Sequence, residues 1–321
     1  MPDRVRITEV GPRDGLQNEP GVIPTAEKVR LVELCAATGV DEVEVTSFVS
    51  PKWVPQLGDA SEVMTALSGF PRKTDNIGRP IPHFSALVPN EKGLEAAKRF
   101  AHEDDDRGAI WKISVFIAAS ETFSRRNINA TIAESLDRVR QVVGHGPFAI
   151  RGYLSCVIAC PFEGQIAPEK VASVAGDLFE CGVDEIDLGD TIGAGTPETV
   201  RAMLIAVATE MRNRMSKPPR DNAELLTTMT TLHLHDTFNR AADCVKAALD
   251  LGVRSFDGSV AGLGGCPYAS TPGKRAPGNI STETLVRTIH AAGYETGVDL
   301  DKLSIAADYA REIVARARAS A

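Results

Sequence analysis

Two histidines one residue apart, His233 and His235, are the side chains of this chain best suited to hold a metal. They lie in a short apolar, β-branched run that predicts a strand over residues 231–235. Side chains two apart on a strand point to the same face, so both imidazoles face one spot. Imidazole is the commonest protein ligand of divalent metals. Two core histidines bonded to the backbone are the alternative, which an isolated motif would favour.

Other polar side chains lie on, or directly after, other predicted strands. Arg13 and Asp14 follow the first strand, Glu44 lies on the second, and Cys266 follows the eighth in a glycine-rich segment. Asp14 and the two histidines would form a site with open positions, suited to Mg²⁺, Mn²⁺, Zn²⁺ or Fe²⁺. A thiol close to a cation can transfer a proton. The plainer alternatives are that Arg13 and Asp14 form a surface ion pair and that Glu44 only supports the metal site. Cys266 could equally be an ordinary cysteine in a tight turn.

Eight short apolar runs predict strands, and amphipathic stretches of helical period lie between most of them. The strands are predicted at residues 5–10, 42–46, 83–87, 112–116, 149–155, 185–188, 231–235 and 254–259. The clearest helices are predicted at residues 26–38, 130–143, 168–181, 197–211 and 239–251. This alternation predicts an α/β fold, a closed (β/α)₈ TIM barrel with extra C-terminal helices. An open doubly wound sheet is the alternative, although no Gly-x-Gly-x-x-Gly follows the first strand.

Local signals mark the ends of several predicted helices. Gly39, Gly182 and Gly252 each stand between a helix and a valine that leads into the next strand. Thr25 and Thr196 stand at helix starts, and a proline follows the second of them. These signals support the predicted order of helix, glycine and strand.

The whole chain, residues 1–321, is interpreted as a single domain. The barrel would cover about 4–280, and the C-terminal helices would cover 281–321. Three segments are interpreted as added loops, an acidic one at 102–108, an exposed one at 212–224 and a basic one at 270–278. The last follows the eighth strand, so it lies on the face where barrel enzymes carry their active sites.

Composition narrows the range of partners and locations. The chain has 321 residues, 43% of them hydrophobic, and a net charge of −8, which argues against nucleic acid or a membrane surface as the main partner. No apolar run approaches the roughly 18 residues that span a bilayer, and no targeting segment is visible, so we expect a cytoplasmic protein. Six cysteines scattered over a long chain without a visible secretory signal argue against a disulfide framework, and the lack of a Cys-x-x-Cys pair argues against a structural zinc site.

Five segments together resemble the 3-hydroxy-3-methylglutaryl-CoA lyase family, over nearly the whole chain. They are Gly-Pro-Arg-Asp-Gly-Leu-Gln-Asn-Glu at 11–19, the run at 44–56 that begins Glu-Val-Thr-Ser-Phe, Gly-Asp-Thr-Ile-Gly at 189–193, His-Leu-His-Asp-Thr at 233–237 and Gly-Leu-Gly-Gly-Cys-Pro-Tyr-Ala at 262–269. The first, second and last are long and specific. The His-x-His-Asp motif is shared with a wider class of metal-dependent barrel lyases and Claisen-type synthases.

The resemblance implies a lyase that cleaves 3-hydroxy-3-methylglutaryl-CoA to acetyl-CoA and acetoacetate with Mg²⁺ or Mn²⁺, in leucine catabolism and ketone-body formation. The metal ligands that it implies are Asp14, His233, His235 and Asn279. The catalytic residues that we expect are Arg13, Cys266, His233 and Glu44. The residues expected to bind substrate are Arg13, Gln17 and Arg151.

The chain departs from the family between Ala269 and Asn279, where the loop is longer and carries Lys274 and Arg275. This loop bears on the position of Asn279 and on the acyl chain accepted. The alternatives are a lyase or aldolase for another 3-hydroxyacyl-CoA or a 2-oxo acid, a Claisen-type acyl-CoA synthase, and, least favoured, a non-enzymatic metal-binding barrel. The expected partners are an acyl-CoA substrate and a second copy of the chain, with a dimer as the first expectation.

Overall fold

A closed barrel of parallel strands forms the centre of the computed structural model, which describes residues 3–70, 82–101, 110–265 and 278–320. In chain order the strands are β1 (Arg6–Glu9), β2 (Glu42–Ser47), β3 (His83–Leu87), β4 (Ile110–Ala118), β5 (Ala149–Ser155), β6 (Ala159–Cys160), β7 (Gly164–Gln165), β8 (Glu185–Asp190), β9 (Thr230–Leu234) and β10 (Ser255–Gly258). β6 and β7 form a separate antiparallel pair, and β1 closes the barrel by pairing with both β2 and β10. The predicted barrel is confirmed, and the open sheet is wrong.

Helices follow most of the strands and lie around the barrel. In chain order they are α1 (Thr25–Ala36), α2 (Ala60–Leu67), α3 (Glu91–Lys98), α4 (Glu121–Ile128), α5 (Ile132–Arg140), α6 (Pro168–Glu180), α7 (Pro197–Arg214), α8 (Asn222–Met229), α9 (Ala241–Asp250), α10 (Thr282–Ala291) and α11 (Leu300–Ala319). The five predicted helices correspond to α1, α5, α6, α7 and α9, and α10 and α11 are the predicted C-terminal helices. Within the described ranges, no helix is long and apolar enough to cross a membrane.

Three glycines end helices in the left-handed backbone region. Gly39, Gly182 and Gly252 have φ angles of 91°, 92° and 103°, where a Cβ atom is unfavourable. Each stands between a helix and a strand, so the predicted glycine caps are confirmed.

The two threonines predicted at helix starts have different roles. Thr196 caps α7, and its hydroxyl accepts from the Thr199 N–H at 3.3 Å. Thr25 is instead the first residue of α1, and its hydroxyl donates to Asp59 at 2.7 Å. The helix start predicted at Thr25 is therefore confirmed, and a tertiary partner engages its hydroxyl.

The predicted insertion at 212–224 is shorter than expected, because α7 and α8 extend into it from both sides. Arg212 holds the remaining loop by donating to the backbone carbonyls of Pro219 and Arg220 at 3.2 and 3.1 Å. The helix α8 was not predicted. The predicted acidic loop at 102–108 lies outside the described residues.

Charged side chains fill the barrel interior towards the N-terminal ends of the strands, where barrels usually pack apolar residues. Arg151 is 1% exposed, and its guanidinium lies 3.1 Å from Glu185 and 3.3 Å from Asp257. Lys112 lies 2.7 Å from Glu42 and 2.8 Å from Glu185. Buried charges are tolerated only when they are well paired. This network therefore fixes β2, β4, β5, β8 and β10 relative to one another beneath the catalytic face.

Alanine at two glycines separates backbone strain from steric clash. Gly39 and Gly293 both have positive φ angles, but an added Cβ would lie 2.3 Å from the Gly297 carbonyl oxygen at position 39 and would meet nothing within 4 Å at position 293. We expect Gly293→Ala to lower the free energy of unfolding by about 1–2 kcal/mol and Gly39→Ala to lower it at least twice as much. Urea denaturation measures both, and equal losses would contradict the clash.

Candidate active site and metal centre

The turn after β1 carries the first two site residues. Gly11–Gly15 form a π-helical turn. Arg13 is 6% exposed; its Nε donates to Glu44 at 2.5 Å and its Nη1 to Asp14 at 2.7 Å. Burial opposes the guanidinium charge, but these carboxylates outweigh it and raise the pKa of Arg13. Arg13 is therefore permanently charged, and Glu44, which is itself fully buried, fixes its direction.

Asp14 lies beside the two histidines of β9 and the residue that follows it. Metal-ligating atoms of Asp14, His233 and His235 all lie within 4.8 Å of one another. Burial would raise the pKa of Asp14, but the charges of Arg13 and His233 and a bond from Asn279 lower it to about 2. The aspartate is therefore ionised at neutral pH, and groups far apart in the chain meet as a shared metal would require.

Asn279 completes the cluster. A β-bridge to His235 brings it there, and its amide donates to Asp14 at 2.8 Å and to the Leu263 carbonyl at 3.0 Å. Among the described residues, Oδ1 of Asn279 and Nδ1 of His235 are buried without a hydrogen-bond partner. Buried polar atoms usually have a partner, so these two atoms are available to a bound cation. Carboxylate, imidazole and amide donors together fit a divalent cation.

Two residues that sequence reasoning missed support this cluster. Nδ1 of His233 lies 3.1 Å from Asp257, and Tyr153 donates to Glu44 at 3.2 Å and to Asp257 at 3.3 Å. Burial lowers the pKa of His233, but the bond to Asp257 and the charges of Asp257 and Asp14 outweigh it and raise the pKa. Asp257 thus fixes the imidazole through Nδ1, as outer carboxylates do at metal sites. Tyr153 and Asp257 both face inward on predicted strands, and this position is the sequence signal that could have identified them.

Two adjoining cavities open above the cluster. The inner one has a volume of about 180 Å³, and its walls include Arg13, Asp14, Gln17, Phe116, Tyr153, His233 and His235. The outer one has a volume of about 600 Å³. The residues that line both are Gln17, Asn18, Leu87, Phe116 and Asn127. The two cavities together can therefore bind a molecule with a compact reacting end and an extended arm.

Among the described site residues that were predicted, Glu44, Asn279 and Arg151 do not line the inner cavity, although Glu44 and Asn279 contact residues that do. Arg151 lies beneath it within the buried ion network, so its position fits support of the site rather than contact with substrate. Cys266 lies outside the described residues, as does nearly all of the predicted loop at 270–278. Gly265, the residue before the cysteine, does line the cavity, and its carbonyl accepts from Asn18 at 3.3 Å.

The closed barrel and the carboxylate, imidazole and amide groups at its mouth define the class of protein. It is a (β/α)₈-barrel enzyme with residues that could hold a divalent metal. Within this class the chain belongs to the HMGL-like family, whose sequence model matches residues 4–309.

Relatives and solved structures agree with this membership. The chain is 43% identical over 312 residues to the mitochondrial hydroxymethylglutaryl-CoA lyase of Mus musculus, covering 96% of this chain and 85% of the relative. It is similar to the HMG-CoA lyase structure from Brucella melitensis, with a TM-score of 0.82 and 43% identity over 98% of this chain and 99% of that one. A structure from Acinetobacter baumannii, an HMG-CoA lyase in complex with coenzyme A and 3-methylmalate, has a TM-score of 0.79 and 32% identity over 98% and 92% of the two chains.

Replacement of His235 tests the metal centre directly. We expect His235→Ala to weaken Mn²⁺ binding by more than about 100-fold, because even outer residues of metal sites change affinity by 10–100-fold. Titration of the metal-free protein with Mn²⁺ measures the affinity. His145→Ala is the control, since His145 is exposed and bonds only to a local carbonyl. Unchanged affinity in His235→Ala would place the metal elsewhere.

Proposed function

We propose that the chain cleaves 3-hydroxy-3-methylglutaryl-CoA to acetyl-CoA and acetoacetate, and that its metal is Mg²⁺ or Mn²⁺. One observation carries the proposal: a permanently charged Arg13 and the cluster of Asp14, His233, His235 and Asn279 converge on one cavity. The names of the relatives support the substrate. Oxygen and imidazole donors without a described thiolate support a hard divalent ion.

The metal ligands would be Asp14, His233, His235 and Asn279. When bound, the metal would supply a Lewis acid that polarises the oxygens of the substrate. Asp14 is too weak a base to take the hydroxyl proton, because its pKa is about 2. We assign that proton to Nε2 of His233, since Asp257 engages Nδ1. Nε2 of His233 cannot hold the ion and the proton together, so Asp14, His235 and Asn279 would be the ligands common to both roles of this imidazole.

Loss of the hydroxyl proton starts the carbon–carbon cleavage. The oxygen lone pair forms the ketone of acetoacetate, and the electrons of the broken bond pass to the thioester as an enolate. Arg13, fixed by Glu44 and Asp14, would stabilise the enolate oxygen, as fixed donors do where charge develops. Cys266 would then protonate the enolate carbon to give acetyl-CoA, and the thiolate would recover its proton from solvent.

The outer cavity supports an acyl-CoA partner. It adjoins the inner cavity and is lined by polar groups that include Asn18, Asn127 and Arg138. We propose that the extended arm of coenzyme A occupies it while the acyl group lies over His233. The Acinetobacter baumannii complex contains coenzyme A, which supports this assignment.

We also propose a single domain over residues 1–321, a homodimer and a cytoplasmic location. Five described cysteines, Cys35, Cys156, Cys160, Cys181 and Cys244, are free thiols, which supports a reducing compartment. The negative net charge of −8 supports an absence of nucleic-acid and membrane-surface partners.

A panel of 3-hydroxyacyl-CoA thioesters tests the substrate. We expect acetoacetate and acetyl-CoA from 3-hydroxy-3-methylglutaryl-CoA with Mg²⁺ or Mn²⁺ and no products after chelation, because the cluster needs its cation. Mass spectrometry of products, with and without chelator, measures this. Faster cleavage of another thioester would identify the alternative lyase, and condensation without cleavage would identify a synthase.

Substitution of Arg13 tests the enolate role. We expect Arg13→Met to lower kcat by about 10²–10³-fold or more, the loss typical of an oxyanion donor, while circular dichroism shows an intact fold. Arg201→Met is the control, because Arg201 pairs with Asp250 on the outer surface.

Substitution of Cys266 separates proton transfer from metal binding. We expect Cys266→Ala to impair turnover by about 10²–10⁴-fold with unchanged Mn²⁺ affinity, because no thiol belongs to the expected ligand set. Steady-state rates and Mn²⁺ titration measure the two effects. Full activity of Cys266→Ala would remove the cysteine from the reaction.

A further inference from the structure

Glu9, the last residue of β1, is fully buried and has no cationic partner among the described residues. Its Oε1 accepts from the backbone N–H of Gly11 at 2.7 Å and of Val260 at 2.8 Å. Its Oε2 accepts from the Thr282 hydroxyl at 2.6 Å. Burial raises the pKa of Glu9 to about 7, although these three bonds lower it. A carboxyl group kept in such surroundings without a counter-ion needs a structural explanation.

The three donors belong to three separate segments of the site. Gly11 opens the turn that carries Arg13 and Asp14. Val260 opens the segment that leads to the glycine-rich loop after β10. Thr282 is the first residue of α10 and follows Asn279 closely in the chain. One side chain therefore bonds three of the segments that stand around the cavity mouth.

These segments pack closely against one another. A Cβ at Gly15 would lie 2.8 Å from the Cβ of Leu263, and a Cβ at Gly264 would lie 2.7 Å from the amide nitrogen of Asn279. The segment after β10 also holds Ala261 at a φ of 58°, an unfavourable conformation for a residue with a Cβ. Such a backbone persists only when surrounding bonds determine it.

We propose that Glu9 is a positioning residue for the reaction. It holds the turn at 11–15, the segment at 260–265 and the start of α10 in one arrangement. It thereby sets the distances among Arg13, Asp14 and Asn279 without touching substrate. The kinetic consequences rest on the proposed function, whereas the structural consequences do not.

Two substitutions of Glu9 and one control test this role. Glu9→Ala removes all three acceptor contacts. Glu9→Gln keeps a carbonyl for the two N–H groups and offers an amide donor to the Thr282 hydroxyl. The control is Glu19→Ala, since Glu19 is also a buried carboxylate but it pairs with Arg318 at 2.7 and 2.9 Å, outside the cavity.

We expect Glu9→Ala to lower kcat by about 100-fold, the effect of a small misplacement of reacting groups, with a smaller change in KM. Amide hydrogen exchange should accelerate at residues 11–15 and 260–265, and Mn²⁺ should bind more weakly. Glu9→Gln should recover kcat to within a few-fold of the unsubstituted chain. Glu19→Ala should lose stability without these changes.

Unchanged kcat and exchange in Glu9→Ala would overturn the proposal, as would equal kcat losses in Glu9→Ala and Glu19→Ala or no recovery in Glu9→Gln. If Glu9→Ala does not fold, Thr282→Val serves instead, because it removes one of the three bonds. We expect it to change kcat, hydrogen exchange and Mn²⁺ affinity in the same directions but by smaller amounts. Hydrogen exchange and Mn²⁺ titration need no substrate. They therefore decide the role of Glu9 even if the unsubstituted protein cleaves none of the thioesters.

Discussion

The pairing of the first barrel strand with the last is the constraint on which the site depends. β1 runs in parallel register with β10 from Arg6 opposite Ser255 to Glu9 opposite Gly258. The turn after β1 therefore stands beside the segment after β10, and Asp14 meets Asn279 at hydrogen-bond distance. An open sheet with β1 and β10 at opposite edges would separate these groups. Barrel closure thus makes the metal cluster possible.

The interior ion network and the catalytic groups form one connected structure. Tyr153 bonds both Glu44 and Asp257, and each of these carboxylates also contacts a further group that lines the cavity. Glu44 contacts Arg13, whereas Asp257 contacts His233. Removal of one partner from a buried ion pair commonly costs about 3–5 kcal/mol. The network therefore supplies a rigid base that keeps the reacting groups aimed at the cavity.

The sequence predicted the fold well because its strong signals are local. Alternation of apolar strands and amphipathic helices indicates βα repeats, and glycines such as Gly182 mark positions of positive φ. The positions of the polar residues at predicted strand ends also placed Asp14 near the two histidines, because the C-terminal ends of all barrel strands lie at one face. These inferences need only periodicity and strand direction.

Other features depend on contacts that no local pattern encodes. Tyr153 on β5 bonds Glu44 on β2 across the barrel interior, and no local pattern predicts a contact between strands that are not neighbours. Arg151 was expected to bind substrate, yet its height in the barrel places it within the interior network. Thr25 was expected at a helix start and lies there, but no local pattern predicts the bond from its hydroxyl to Asp59. Each outcome was decided by tertiary contacts across the barrel.

Among the residues that the structure describes, carboxylates outnumber cations inside the barrel. The cations are Arg13, Lys112 and Arg151, and the carboxyl groups are Asp14, Glu42, Glu44, Glu185, Asp187 and Asp257. Burial and the adjacent Asp257 charge raise the pKa of Asp187, which removes part of this imbalance but not all of it. The described charges beneath the site therefore favour a cation at the mouth of the barrel. Such a cation would also offset the negative charge that an anionic molecule meets as it enters.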